Sequence, residues 1–146
     1  MPTAARLFAA LAFALVGFFT AEVFKPHLPQ GTQFGAFSEI SGLIGLVSGW
    51  RVLGPEAGRG MLRSANAGLK AALAMVLLGL LIFSTEEMIV LAFRRTYHGP
   101  MEAIVGIIKL AVGYIQLLVA PDVLAVILIG GILSGCLSEW AARRWR

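Results

Sequence analysis

SANAGLKAALAMVLLGLLIF, residues 64–83, is the stretch that decides the fold. A membrane-spanning α-helix needs about 20 largely apolar residues to cross a hydrocarbon core about 30 Å thick. Four other stretches of about the same length surround it, separated by short polar breaks. The five segments run Ala4–Phe24, Phe37–Leu53, Ser64–Phe83, Met101–Val119 and Val123–Trp140. The pattern predicts an all-α integral membrane helical bundle.

The composition agrees with a single domain embedded in the bilayer. Hydrophobic residues make up 58% of the 146 residues and charged residues only 14%, whereas a soluble domain carries about 25% charged residues. No polar region is long enough for a second domain, so residues 1–146 form one unit. The net charge of +4 would raise nucleic acid as a partner in a soluble protein. Here the basic residues lie at helix ends, which favours contact with lipid headgroups instead.

The breaks between segments carry recognisable helix signals. The first segment is long enough to span and is not cleanly followed by a small-x-small cleavage site, so we predict a retained signal-anchor helix. Lys25-Pro26 comes directly after it and predicts that the helix ends there. After the third segment, Ser84 and Glu87 fit a capping box, with Ser84 as N-cap. That spacing predicts a break near Phe83 and a fresh short helix reaching about Arg95.

The fourth segment is amphipathic in an unusual way. Polar residues and glycines alternate along it at spacings of four, three, four and three: Glu102, Gly106, Lys109, Gly113 and Gln116. On a helix these positions form one narrow stripe. The opposite face is apolar. Such a helix lies in the membrane interface, or it spans the bilayer with its stripe turned toward other helices.

The distribution of basic residues favours four spans. If segments one, two, three and five cross the membrane and the N-terminus is inside, eight basic residues are inside and four outside. The inner set is Arg6, Arg51, Arg59, Arg63, Lys70, Arg143, Arg144 and Arg146, and the outer set is Lys25, Arg94, Arg95 and Lys109. Five spans give nearly equal counts. The positive-inside rule therefore predicts a multi-pass inner-membrane protein with both termini cytoplasmic.

Two GxxxG motifs predict close helix packing. Gly45 and Gly49 lie in the second segment, and Gly131 and Gly135 lie in the fifth. Small residues one turn apart let two helix backbones approach closely in a membrane. We expect segment two to pack on segment five within the chain; the alternative is a homodimer seam.

Polar residues that could carry chemistry are few. Glu22, Glu39 and Glu139 lie near segment ends, where we expect their side chains to reach the interface. His27 and His98 stand in separate loops, and Cys136 is the only cysteine. No catalytic motif, cofactor-binding loop or metal-ligand cluster is visible, so the sequence predicts a non-enzymatic protein without a cofactor.

Several motifs in sequence order resemble the TrgA family of small alphaproteobacterial membrane proteins linked to tellurite resistance. The matching pieces are residues 1–7, 24–32, 37–40, 49–55, 57–60, 99–103 and 139–145. They extend over nearly the whole chain. The resemblance implies a contribution to tellurite resistance, but it brings no catalytic or ligand-binding residues with it.

Three functional hypotheses follow from the sequence. By resemblance, the chain contributes to tellurite resistance without being an enzyme. Alternatively, it is a small transporter or channel subunit whose polar stripe of Glu102, Lys109 and Gln116 lines a path. It could also be a scaffold or assembly factor within a larger membrane complex. The expected partners are the lipid bilayer and a second membrane protein or another copy of the chain.

Overall fold

The structure is a computed structural model that describes residues 3–30, 35–94 and 98–145. The predicted all-α fold is confirmed: these residues form helices and turns with no strand. The α-helices are α1 Thr3–Phe24, α2 Phe37–Ser48, α3 Met61–Phe93, α4 Pro100–Leu118 and α5 Pro121–Arg144. As the Lys25-Pro26 pair predicted, α1 ends at Phe24 and passes into a single 3-10 turn, Lys25–His27.

Four helices in the described part of the chain are long and apolar enough to cross a membrane. They are Ala4–His27, Met61–Phe93, Pro100–Leu118 and Pro121–Arg144. The number agrees with the four expected spans, but the set differs, since it includes α4 and omits α2. The α-helix of α2 is only 12 residues long. Its helical path nevertheless continues through a π-helical turn, Gly49–Leu53, and a 3-10 turn, Gly54–Glu56.

The predicted break near Phe83 is wrong, because α3 runs without interruption to Phe93. Ser84 does not cap a helix; it lies fully buried within α3. The next hydroxyl, Thr85 Oγ1, donates to the carbonyl of Leu81, as occurs inside helices. No glycine or proline follows until Gly99-Pro100, so nothing stops the backbone hydrogen bonds from continuing. Arg95, the expected end of the extra helix, lies outside the described residues, as does Arg146.

Three aromatic contacts show how the helices align at one end of the bundle. The ring of Phe37 lies 6.0 Å from that of Phe24 and 4.4 Å from that of Phe83, so α1 ends and α2 begins at the level of Phe83. From there α3 extends about 15 Å further to Phe93. Helix α4 packs mainly on α3 and returns along this extension, bringing the Tyr114 ring to 6.3 Å from Phe24. It therefore flanks the bundle formed by α1, α2, α3 and α5.

The beginning of α1 and the end of α5 meet at the other end of the bundle, which we call the terminal end. Ala5, Ala57 and Ala142 form a small buried cluster there. Phe8 stacks on Trp145 with their ring centroids 4.9 Å apart. At the opposite end, called the distal end, His27 Nε2 lies 2.8 Å from Asp122 Oδ2. These contacts place the first and last helices antiparallel and side by side.

The expected packing of segment two on segment five is wrong: the first GxxxG motif packs on α1. A Cβ built on Gly45 would collide with the backbone carbonyl of Phe13, and one on Gly49 would lie 2.5 Å from the carbonyl oxygen of Ala9. Gly17 of α1 approaches the carbonyl of Ser41 in the same way. Backbones this close tolerate only glycine at the crossing.

The second GxxxG motif packs on α3. A Cβ on Gly135 would collide with the Ser64 carbonyl, and one on Gly131 would lie 3.1 Å from the Gly68 carbonyl oxygen. On α3, a Cβ on Gly68 would collide with the Gly131 carbonyl. Both motifs are thus covered within one chain, which removes these faces from a homodimer seam. Sequence spacing identified the two helix faces that carry small residues. It did not identify their partners, because either face fits any helix with a similar face.

Candidate functional site

The polar stripe of α4 lies on the outside of the structure. Glu102, Lys109 and Gln116 are all exposed, and Gly106 is the only buried residue of the helix. Glu102 Oε2 accepts the backbone N–H of His98 at 2.8 Å, which fixes the turn preceding α4. The stripe therefore borders the face that packs on α3 without lining a space between helices.

A half-open cleft of about 70 Å³ lies between α1, α2, α3 and α4 near the distal end. Its walls are almost entirely apolar, with Phe24, Phe37, Phe83 and Leu118 among them. Tyr114 adds a phenol ring to the lining. Such a lining suits an apolar ligand, for example a hydrocarbon chain.

The Thr20 and Ser41 hydroxyl groups in the cleft are engaged by their own helices. Thr20 Oγ1 donates to the Val16 carbonyl at 2.6 Å. Ser41 Oγ donates to the Phe37 carbonyl at 2.8 Å. Because both protons point back to the backbone, these two hydroxyl groups offer a hydrophilic anion little in exchange for its hydration shell.

Among the described residues, the most enclosed charged group is Glu139, near the C-terminal end of α5. Its side chain is only 2% exposed, so the expectation that it reaches the interface is wrong. Oε2 accepts the backbone N–H of Gly58 at 2.7 Å and the Ser64 hydroxyl at 2.8 Å. Oε1 accepts Arg143 Nε at 3.0 Å. One carboxylate thus joins α5, the start of α3 and the loop between α2 and α3.

Glu22 is also held within the structure, at the distal end. One of its carboxylate oxygens accepts hydrogen bonds from Lys25 Nζ and from the hydroxyl of Ser38. This contact ties α1 to α2 just beyond the cleft. Together with the His27–Asp122 contact, it closes the distal end with polar interactions.

The described residues contain no group of three or more side chains suited to hold a metal ion. Cys136 is a free, partly buried thiol. The arrangement therefore contains an apolar cleft, a structural carboxylate cluster and an exposed polar stripe. None of these pairs a nucleophile with a base, in the part of the chain that the structure describes.

Sequence reasoning missed the cleft and the interactions of Glu139. The cleft needs four helices in register, which residue patterns do not specify. An acidic residue inside an otherwise apolar helix was the one available signal for Glu139. No protein-family model, curated protein or solved structure matches this chain.

Proposed function

We propose that this chain is a non-enzymatic inner-membrane protein that contributes to tellurite resistance without conducting the oxyanion. The resistance role rests on the resemblance to the TrgA family across nearly the whole sequence. The observation that supports a non-transport role is the exposure of Glu102, Lys109 and Gln116 on the outside of α4. An anion path would need such groups around a wet cavity, whereas the cleft beside them is apolar.

A deletion strain tests this proposal directly. It should lose tellurite tolerance while its cell-associated tellurium, compared at sublethal exposure, stays near that of the parent. Complementation with the Lys109→Ala variant should restore tolerance, because the exposed lysine lines no path. Loss of resistance in Lys109→Ala at normal membrane abundance, together with altered tellurium accumulation, would favour a transporter. Full tolerance in the deletion strain would remove the resistance role itself.

We propose the topology that the basic residues favour. Segments one, two, three and five are its four spans, and both termini are cytoplasmic. The proposal is supported by the contact of Phe8 with Trp145, which brings the beginning of α1 and the end of α5 to one end of the bundle. Single cysteines introduced into a Cys136→Ser background report the sides. Cysteines at Gly58 and Trp145 should react only after the membrane is opened, whereas those at Gln30 and His98 should react in intact cells with a permeabilised outer membrane. Opposite labelling of Gly58 and Trp145 would refute the four-span arrangement.

A scaffold role is the second candidate, and the surface of α4 favours it. Ile104, Ile108 and Ile115 are all exposed on the side away from α3. A photocrosslinker at Ile108 should capture a membrane protein if α4 is a docking helix. If Ile108 forms adducts with lipid alone, α4 has no protein contact there, and the scaffold role loses its support at this helix.

A further inference from the structure

Arg63, Asn66 and Lys70 form a polar face on the outside of α3, which we call the α3 cationic face. All three side chains are exposed, and their spacing places them on one side of the helix. Leu73 and Leu77 continue the same side and are 62% and 58% exposed. Since large apolar residues extend this face, it is turned toward lipid.

Lys70 lies at about half the height of the bundle, on its outside. It stands between Gly68 and Ala72, which both pack against Gly131 of α5. By the helical rise, Gly131 is about 15 Å from Pro121 and about 14 Å from Trp140. Tryptophan residues such as Trp140 prefer the membrane interface, so the Lys70 backbone lies near the middle of a hydrocarbon core about 30 Å thick. The sequence-based charge count assigned Lys70 to the inner side, although its backbone lies within the third apolar segment.

The direction of the side chain leads back toward Arg63. Cα–Cβ bonds in an α-helix tilt toward its N-terminus, and a lysine extends its apolar stem along lipid while its ammonium group reaches for a polar layer. Arg63 lies about 10 Å nearer the terminal end. The Lys70 ammonium can therefore approach an anion from the distal side, and the Arg63 guanidinium can approach the same anion from the terminal side. The Asn66 amide lies between them.

Within the described ranges, no carboxylate is paired with that face: no acidic side chain forms an ion pair with Arg63 or Lys70. The sequence has eight acidic residues, and each lies near a helix end or beyond Phe83: Glu22, Glu39, Glu56, Glu86, Glu87, Glu102, Asp122 and Glu139. A second copy packed side by side would have none at the depth of Lys70 either.

We infer that the α3 cationic face binds the phosphate headgroup of an anionic phospholipid in the leaflet at the terminal end. A headgroup phosphate supplies the missing negative charge at the depth to which Lys70 can extend. The lipid acyl chains then lie along Leu73 and Leu77. This inference concerns lipid recognition and does not depend on the role in tellurite resistance.

Native mass spectrometry of the detergent-purified protein tests the site with phosphatidylglycerol and phosphatidylcholine of identical chains. Each contact of a basic residue with an anionic headgroup changes affinity about five-fold. Lys70→Gln or Arg63→Gln should each weaken phosphatidylglycerol binding by that factor, and the double variant about 25-fold. Phosphatidylcholine binding should stay unchanged. Lys70→Arg should retain binding, as should the matched control Arg94→Gln, which removes an exposed arginine at the far end of α3.

Two results would overturn the inference. One is a phosphatidylglycerol affinity that the double variant leaves unchanged, or that Arg94→Gln lowers as much as the double variant does. The other comes from a photocrosslinker at Leu73 in cells. A protein adduct that disappears in Lys70→Gln would assign the face to an acidic protein partner, whereas a lipid adduct with the same dependence supports the headgroup site. Because the substituted side chains are exposed, unchanged helical circular dichroism should accompany every variant.

Discussion

The crossing of α3 and α5 makes a graded prediction about stability. A Cβ added at Gly68 would fall well inside contact distance of the Gly131 backbone carbonyl, which cannot move without shifting α5. A Cβ at Gly131 would be 3.1 Å from the Gly68 oxygen, a tight but adjustable contact. A Cβ at Gly79, on the same helix as Gly68, meets no atom within 4 Å. The same chemical change therefore tests three degrees of crowding.

We expect Gly68→Ala to lower the free energy of unfolding by about 1–3 kcal/mol, the usual cost of overpacking. This loss should appear even though alanine stabilises a helix interior by about 1 kcal/mol relative to glycine. Gly79→Ala should keep that gain. The free energy of unfolding of Gly131→Ala should lie between those of Gly68→Ala and Gly79→Ala. The measurement is unfolding of the detergent-solubilised protein with sodium dodecyl sulfate, followed by tryptophan fluorescence. If Gly68→Ala is as stable as Gly79→Ala, the close crossing of α3 and α5 is refuted.

Two further substitutions test buried polar groups in the same unfolding assay. Glu139→Ala should cost about 2–4 kcal/mol, because the buried Ser64 hydroxyl and the Gly58 N–H both lose their acceptor. Glu139→Gln should cost less, since one oxygen can still accept, and equal losses would show that the carboxylate acts only by filling space. Ser84→Ala should leave stability unchanged or raise it by up to about 1 kcal/mol, because the Ser84 hydroxyl has no hydrogen-bond partner in the described part of the chain. A clear loss for Ser84→Ala would mean that this hydroxyl has a partner.

The sequence predicted the helices better than their arrangement. Length and apolarity identify a helix such as α5 directly, and Lys25-Pro26 marked the end of α1, because both are local properties. Helix pairing is not local. The Gly45 and Gly131 faces are alike in sequence, so only the three-dimensional fit assigns them to α1 and α3.

The errors at Ser84 and Glu139 have a common physical origin. A capping box describes what a side chain can do where a helix begins, but it does not force a helix to begin there. Likewise, a carboxylate near a helix end can reach water or can accept hydrogen bonds from buried donors. For Glu139 the choice depends on Gly58 and Ser64, which lie far away in sequence. Such contacts become visible only when the chain is folded.

The packing divides the molecule into a tight part and a loose part. Close glycine crossings join α1 to α2 and α3 to α5, and Glu139 links the second pair to the loop between α2 and α3. Helix α4 has only one buried residue, Gly106, and contributes Tyr114 and Leu118 to the edge of the cleft. Elements with few buried contacts open at the lowest free energy and are the ones that ligands and partners displace most readily. Movement of α4 against α3 would widen the cleft without disturbing either glycine crossing. The edge between α4 and the distal end of the bundle is therefore where binding of an apolar ligand or a partner would change the structure most easily.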